Sequence, residues 1–176
     1  MVYLMVLLAV LARFLPHVWN FSPVYGALLF GGAQLKKRDS LWFPLVLLAA
    51  SDYVLTNLMY HLNLGWQELI QIAAFASIAM IGWALRERSS LRRFSFACLA
   101  GATAFYLISN FGVWLGWHTY PPTLAGLVAC YVAALPFYGY TLGSTVLFAG
   151  ILFGTYRFYE SRRTQTAEVA SGLANR

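Results

Sequence analysis

Side chains that could bind a small ligand are concentrated in three short segments of this chain, residues 16–22, 57–66 and 110–121. Each segment contains asparagine, and together they hold all three histidines and four of the six tryptophans: His17, His61, His118, Trp19, Trp66, Trp114 and Trp117. Indole rings stack on flat ligands, while amide and imidazole groups hydrogen-bond to polar edges. This combination of residue types favours a binding surface for a small molecule.

A structural explanation accounts for part of this pattern. Tryptophan and tyrosine are enriched where membrane helices meet the aqueous interface, and a belt of them needs no ligand. Such a belt requires neither histidine nor asparagine. The binding hypothesis therefore depends on the imidazole and amide side chains rather than on the aromatic rings alone.

The same segments contain no catalytic motif. His61 and Glu68 are too widely spaced for the H-E-x-x-H pattern of a zinc site, and no serine has a G-x-S-x-G context. The chain also lacks the Walker sequence GxxxxGK[ST], so energy from ATP would have to come from a partner. We therefore predict a protein that is not an enzyme and that holds no metal or cofactor.

The composition is that of a membrane protein. Hydrophobic residues make up 60% of the chain and charged residues only 10%, whereas about a quarter of a soluble domain is charged. Residues 94–156 contain no Asp, Glu, Lys or Arg. At about 1.5 Å per residue, that run could cross a ~30 Å hydrocarbon core more than once. The predicted fold class is an all-α polytopic membrane protein.

Charged residues divide the sequence into apolar runs that predict the helices. Six runs are candidates for transmembrane helices: 2–15, 22–35, 41–58, 67–85, 94–115 and 141–157. Residues 122–135 are predicted to form a separate short helix at the outer face, because a seventh crossing would move the last basic cluster outside. The prediction is one membrane domain, residues 1–163, followed by a flexible cytoplasmic tail, residues 164–176.

Basic clusters predict the orientation of these helices. The sequences KKRD, RERSSLRR and RFYESRR occupy residues 36–39, 86–93 and 157–163. Six crossings place all three on one side, which the positive-inside rule assigns to the cytoplasm. We therefore expect a protein of the cytoplasmic (inner) membrane, with both termini in the cytoplasm. Membrane lipid explains the net charge of +6 without nucleic acid as a partner.

Arg13 and Asp52 are charged residues within predicted transmembrane helices. A lone charge in hydrocarbon is costly, so such residues pair with each other or line a polar cavity. Three arrangements stay open: an ion pair joining the first and third helices, an Arg13 side chain extended to the outer interface, or direct contact of these charges with a ligand.

The candidate solute-binding residues come from the three outer segments and from these two charges. We expect the side chains of residues 110–118 to face those of residues 17–20 across an outward pocket, with residues 53–60 forming another wall. The complete predicted set is Arg13, His17, Asn20, Asp52, Tyr53, Asn57, Tyr60, Asn110, Trp114, Trp117 and His118.

Several short sequences resemble a known class of membrane protein. "NFSPVYGALLFGG" and "ALPFYGYTLGSTVLFAGILFG" resemble the openings of the second and last helices of the substrate-binding S-components of energy-coupling factor (ECF) importers. "RFLPHVWNFSPV", "SDYVL", "NFGVWL" and "CYVAALPF" are similar to sequences in small bacterial six-helix membrane proteins that are S-component-like. The resemblance spans most of residues 10–157.

The resemblance implies a fold, a function and partners. It implies a six-helix, S-component-like fold that takes up a small vitamin-like or cofactor-precursor solute through an outward-facing pocket. It also implies an ECF-type coupling subunit and ATPases as partners that supply the energy. The alternative is a small accessory or structural subunit of a larger membrane complex, with no solute of its own.

Overall fold

Helices make up all the regular secondary structure in the computed structural model, which describes residues 1–15, 20–59, 65–86, 90–117 and 119–174. The six α-helices are α1 (Val2–Leu11), α2 (Val24–Gln34), α3 (Asp39–Tyr53), α4 (Gln67–Gly82), α5 (Leu91–Gly116) and α6 (Leu124–Ala174). Short 3₁₀-helices, Ala12–Phe14 and Trp83–Leu85, extend α1 and α4, and a π-helix, Val54–Met59, extends α3. The all-α prediction is confirmed for these ranges.

Three stretches within the described ranges are long and apolar enough to cross a membrane, by length and composition: Gln67–Leu85, Leu91–Gly116 and Leu124–Thr166. A shorter apolar helix covers Val2–Phe14. These helices agree with a membrane protein in general terms. Six crossings, the inner membrane and the cytoplasmic position of both termini stay predictions.

The predicted separate helix over residues 122–135 is wrong, because α6 is one continuous helix of 51 residues. Pro136 lies inside α6 and lacks the N–H that an internal helical residue would donate. Hydrogen bonds to α5 hold α6 on both sides of the proline: the Tyr106 hydroxyl donates to the Tyr131 carbonyl at 2.6 Å, and the hydroxyls of Thr103 and Tyr138 are 2.9 Å apart. Neighbouring polar groups of this kind let apolar helices tolerate proline.

The centre of the bundle is the short helix α2, whose residues 24–33 are all buried. This helix packs against each of the other five α-helices. Glycine allows the close approach: a Cβ at Gly32 would overlap the carbonyl oxygen of Ala79, and a Cβ at Gly26 would clash with the backbone of residues 148–149. Small residues at such crossings let helix backbones pack closely without a layer of side chains between them.

Hydrogen bonds to Asp39 hold the beginning of α1 against the beginning of α3. The Tyr3 hydroxyl donates to one carboxylate oxygen at 2.5 Å, and the Trp42 indole donates to the other at 3.0 Å. These two bonds, together with the nearby charges of Lys36 and Arg38, lower the pKa of Asp39. We call this the basic end of the bundle, and the end at which α3 finishes and α4 begins the far end.

Substitution of Gly32 by alanine should destabilise the bundle. The added methyl group would meet the Ala79 carbonyl and the Gly82 backbone, which cannot move without separating α2 from α4. Overpacking of this kind costs ~1–3 kcal/mol. We expect the apparent Tm of Gly32→Ala in detergent to fall. The matched control is Gly150→Ala, because nothing lies within 4 Å of a Cβ at that position. An equal Tm for both variants would contradict the close α2–α4 crossing.

Candidate functional site

A cavity of about 210 Å³ lies between the segment that precedes α2 and the helices α4, α5 and α6. It is beside Phe105 and Tyr106, near the midpoint of α5, and so lies about midway along the bundle. We call it the solute cavity. Its polar lining residues are Asn20, Gln71, Ser109, Asn110, Tyr138 and Thr141.

The segment before α2 brings Asn20 to this cavity because a tight turn replaces helix there. Asn20 has φ 58°, a left-handed conformation that asparagine adopts more readily than most residues. The Ser22 hydroxyl accepts a hydrogen bond from the Val24 N–H at 3.4 Å, and Pro23 immediately precedes the first residue of α2. Proline near a helix start suits the chain because its missing N–H would have no helical partner.

Local hydrogen bonds orient the α5 side chains that line the cavity. The Asn110 amide donates to the Tyr106 carbonyl at 2.8 Å, and the Ser109 hydroxyl donates to the Phe105 carbonyl at 2.7 Å. These bonds satisfy the Asn110 amide N–H and the Ser109 hydroxyl with backbone carbonyls of the same helix. The Asn110 amide oxygen is left with no donor among the residues that the structure describes, so it can accept from a ligand.

A smaller cavity of about 120 Å³ adjoins the first at the far end of the bundle. Both cavities are lined by Gln71, Ser109 and Val113, so the two spaces are adjacent. Glu68 and Trp117 also line the smaller cavity. The two spaces lie next to each other between the far end and the middle of α5.

Arg13 and Asp52 form the ion pair that was one of the three arrangements left open by the sequence. One guanidinium nitrogen is 2.6 Å from the Asp52 carboxylate, and another donates to the Ser51 hydroxyl at 2.9 Å. Ser51 donates in turn to the Leu48 carbonyl. The pair is largely buried, with 16% and 14% of the two side chains exposed. This contact joins the end of α1 to the end of α3, and contact of either charge with a solute stays a prediction.

Two acceptor oxygens near this ion pair have no hydrogen-bond partner among the residues that the structure describes. They are the second carboxylate oxygen of Asp52 and the amide oxygen of Asn57, both buried. Asn57 lies in the π-helix that follows α3, and such helices occur frequently at functional sites. Glu68 is close enough to interact electrostatically with both members of the pair. The far end of α3 therefore presents acceptors that still need donors.

Two other predicted site residues, Trp114 and Tyr53, do not line the solute cavity. The Trp114 indole donates to the Pro121 carbonyl at 2.9 Å and does not line the solute cavity. Half of the Tyr53 side chain is exposed at the surface of α3. The structure thus brings Asn20 and Asn110 to one cavity and Trp117 to the adjoining one. His17, Tyr60 and His118 lie outside the described residues.

Sequence analysis missed the polar residues that line the cavity from within apolar helices. They are Gln71 on α4, Tyr106 and Ser109 on α5, and Tyr138 and Thr141 on α6. A signal was present, because Gln71 interrupts the otherwise apolar run "IQIAAF". A polar residue at such a position needs a partner or a cavity.

Neither cysteine takes part in a disulfide. Cys98 and Cys130 are both buried and free, and the Cys130 thiol donates to the Asn110 carbonyl at 3.4 Å. No group of three His, Cys, Asp or Glu side chains converges within the ranges that the structure covers. The solute cavity itself is lined mainly by amides, hydroxyls and aromatic rings.

The model of DUF6580, a family of unknown function, matches residues 1–167, so the chain belongs to this family. No curated protein and no solved structure shows significant similarity to the chain.

Replacement of Asp52 by asparagine should destabilise the protein strongly. The change would leave the Arg13 guanidinium buried without a counter-charge, and breaking a buried pair costs ~3–5 kcal/mol. Detergent melting curves should show a larger loss for Asp52→Asn than for Asp39→Asn, whose carboxylate is bonded to neutral donors. The exchange Arg13→Asp with Asp52→Arg should recover part of the loss. If Asp52→Asn melts like the wild type, the ion pair is not structural.

Proposed function

We propose that this member of DUF6580 is an S-component-like membrane protein that binds a small vitamin-like or cofactor-precursor solute for uptake. The solute enters from the far end, which faces outward, and occupies the solute cavity. A partner supplies the energy, through an ECF-type coupling subunit and ATPases. The observation that carries the proposal is a cavity lined by polar residues inside an otherwise apolar helical bundle.

The short length of α2 supports this assignment. With 11 residues and a rise of about 1.5 Å each, α2 is only roughly 16 Å long, about half of a ~30 Å hydrocarbon core. The turn at residues 20–23 therefore lies at depth, beside the middle of α5. Irregular backbone at membrane depth is tolerated only where it is buried in protein or lines a water-filled cavity. A binding cavity gives this turn a function.

The chemistry of the lining indicates the kind of solute. Phe105, Tyr106 and Phe137 supply aromatic surface, on which a flat ring can stack. Asn20, Asn110 and the other polar lining residues can hydrogen-bond its edges. Ligand pockets are typically ~300–1,000 Å³, so a cavity of about 210 Å³ suits a small solute. The lining contains no charged side chain among its described residues, which favours a neutral solute or a neutral part of one.

A second candidate function is that of an accessory subunit with no solute. It is favoured by the outer surface of α6, where Cβ atoms at Gly139, Gly150 and Gly154 would meet nothing within 4 Å. Exposed glycines on an apolar helix allow the close approach of another helix. Mass spectrometry of molecules that co-purify in mild detergent separates the two functions, because only the first expects a stoichiometric solute.

Alanine at Asn110 or Gln71 should weaken solute binding by tenfold or more, on the order of 1.4 kcal/mol. Each change removes a hydrogen-bonding group from the solute cavity and should leave the Tm close to that of the wild type. The measurement is the affinity for the co-purifying solute by equilibrium titration in detergent. Gln34→Ala is the matched control, because Gln34 lies at the other end of α2 and outside the lining. Equal affinity for all these variants would place the solute elsewhere.

Cysteine labelling should locate the two ends of the bundle on opposite sides of the membrane. A cysteine replacing Lys37, at the basic end, should react only from the cytoplasm, and one replacing Trp117, at the far end, only from outside. Both native residues are exposed, whereas Cys98 and Cys130 are buried and give little background. Labelling of Lys37→Cys from outside would place the solute cavity on the wrong side for uptake.

A further inference from the structure

A larger cavity, of about 780 Å³, opens at the basic end of the bundle. We call it the basic cavity. Four cationic and two aromatic side chains line it: Lys37, Arg86, Arg92, Arg93, Trp83 and Phe96. They come from the loop before α3, the 3₁₀-helix after α4 and the first turns of α5, so the fold brings together cations from three separate parts of the sequence.

Hydrogen bonds fix one wall of the basic cavity. The Trp83 indole donates to the Ser40 hydroxyl at 2.9 Å, and Ser40, which is fully buried, donates to the Lys37 carbonyl at 2.8 Å. The Lys37 ammonium lies 5.3 Å from the centre of the Trp83 ring, within range of a cation–π interaction. The wall is therefore organised without a ligand.

Arg86 has hydrogen-bonding groups that none of the described residues satisfies. Its Nε and one terminal guanidinium nitrogen, Nη2, are buried and have no partner among the described residues. A buried charged donor without an acceptor is strongly unfavourable. The fork of N–H groups on a guanidinium matches the oxygens of a carboxylate or phosphate, so an anion in the cavity would satisfy Arg86.

The beginning of α5 adds to the positive potential. Arg92 and Arg93 lie in the first turn of this helix, which has no acidic residue. The N-terminus of a helix carries a partial positive charge, so cations there are repelled and anions are favoured. Ser90 accepts a hydrogen bond from the Arg93 N–H and caps only part of the helix end. The partial positive charge of the helix N-terminus and the charges of its two arginines therefore both attract an anion.

The positive-inside rule explains why basic residues occur at this end. It does not explain why they converge on one cavity or why two Arg86 guanidinium nitrogens are buried with no acceptor in the described ranges. No acidic side chain belongs to the part of the cavity lining that the structure describes. Like charges held together in this way are stabilised by a bound counter-ion.

We propose that the basic cavity binds a phosphate group. Arginine side chains form paired, charge-assisted hydrogen bonds with phosphate oxygens, and the volume falls in the usual range for ligand pockets. Phe96 is 71% exposed beside the cations and offers an apolar surface next to the phosphate. Two sources supply this chemistry: the head group of an anionic phospholipid and a soluble phosphate. The proposal is independent of the solute cavity and of uptake.

The test is a titration of the full-length protein, stripped of lipid in dodecyl maltoside, with short-chain phosphatidylglycerol, matched phosphatidylcholine and inorganic phosphate. Native mass spectrometry counts bound molecules, and melting curves report stabilisation. We expect at least one of the two anionic probes to bind and raise the Tm, and Arg86→Gln to weaken that binding by tenfold or more. Binding of phosphatidylglycerol alone identifies a lipid site, and binding of inorganic phosphate identifies a site open to soluble phosphates.

Matched variants separate a specific site from general charge. Arg162→Gln removes the same charge from an exposed arginine that packs over Phe158 and should bind like the wild type. Because Arg86 is half-buried, a second pair uses exposed lysines: Lys37→Gln should weaken binding and the neighbouring Lys36→Gln should not. Failure of both anionic probes to bind the wild type, or equal weakening within each matched pair, would overturn the proposal.

Discussion

The contact between backbones at the glycines of α2 is the constraint on which the rest of the bundle depends. At Gly32 this helix meets the backbone of α4, and at Gly26 it meets that of α6, with no space for even a Cβ atom. In lipid, where apolar surfaces attract one another little, such close packing is a main source of helix association. Because α2 touches every other α-helix, its position determines where each of them lies.

Polar contacts fix the relative orientation of α1 and α3, which apolar packing alone would leave variable. Tyr3 with Asp39 and Arg13 with Asp52 join α1 to α3 at two points that lie roughly 15 Å apart along α1, at about 1.5 Å per residue. One bond would allow rotation about it, whereas two hold the helices parallel and in register.

The first five helices could be predicted because charged clusters mark their ends on one side and uncharged polar segments mark them on the other, and the observed bounds differ from the predicted ones by a few residues. The last helix could not, because a seventh crossing would have moved the last basic cluster outside, which favoured a separate short helix over residues 122–135. Hydrogen bonds from α5, distant in sequence, hold α6 as one continuous helix across Pro136. Asn20 and Asn110 could be predicted as site residues because asparagine recurs in the segments predicted to lie at the outer face. Gln71 and Thr141 were not, since only the packing of α4 against α5 and α6 reveals a cavity beside them.

Pro136 also lies beside the solute cavity, at the point where α6 lacks an internal hydrogen bond. Its neighbours Ala134, Phe137 and Tyr138 line that cavity, and the helix lacks one internal hydrogen bond at this level, so bending there costs least. From the proline, α6 runs about 57 Å to Ala174. A bend of about 5° would swing the far tip of such a rod by roughly 5 Å. A small change of angle beside the solute cavity is therefore amplified most at the C-terminal end of α6.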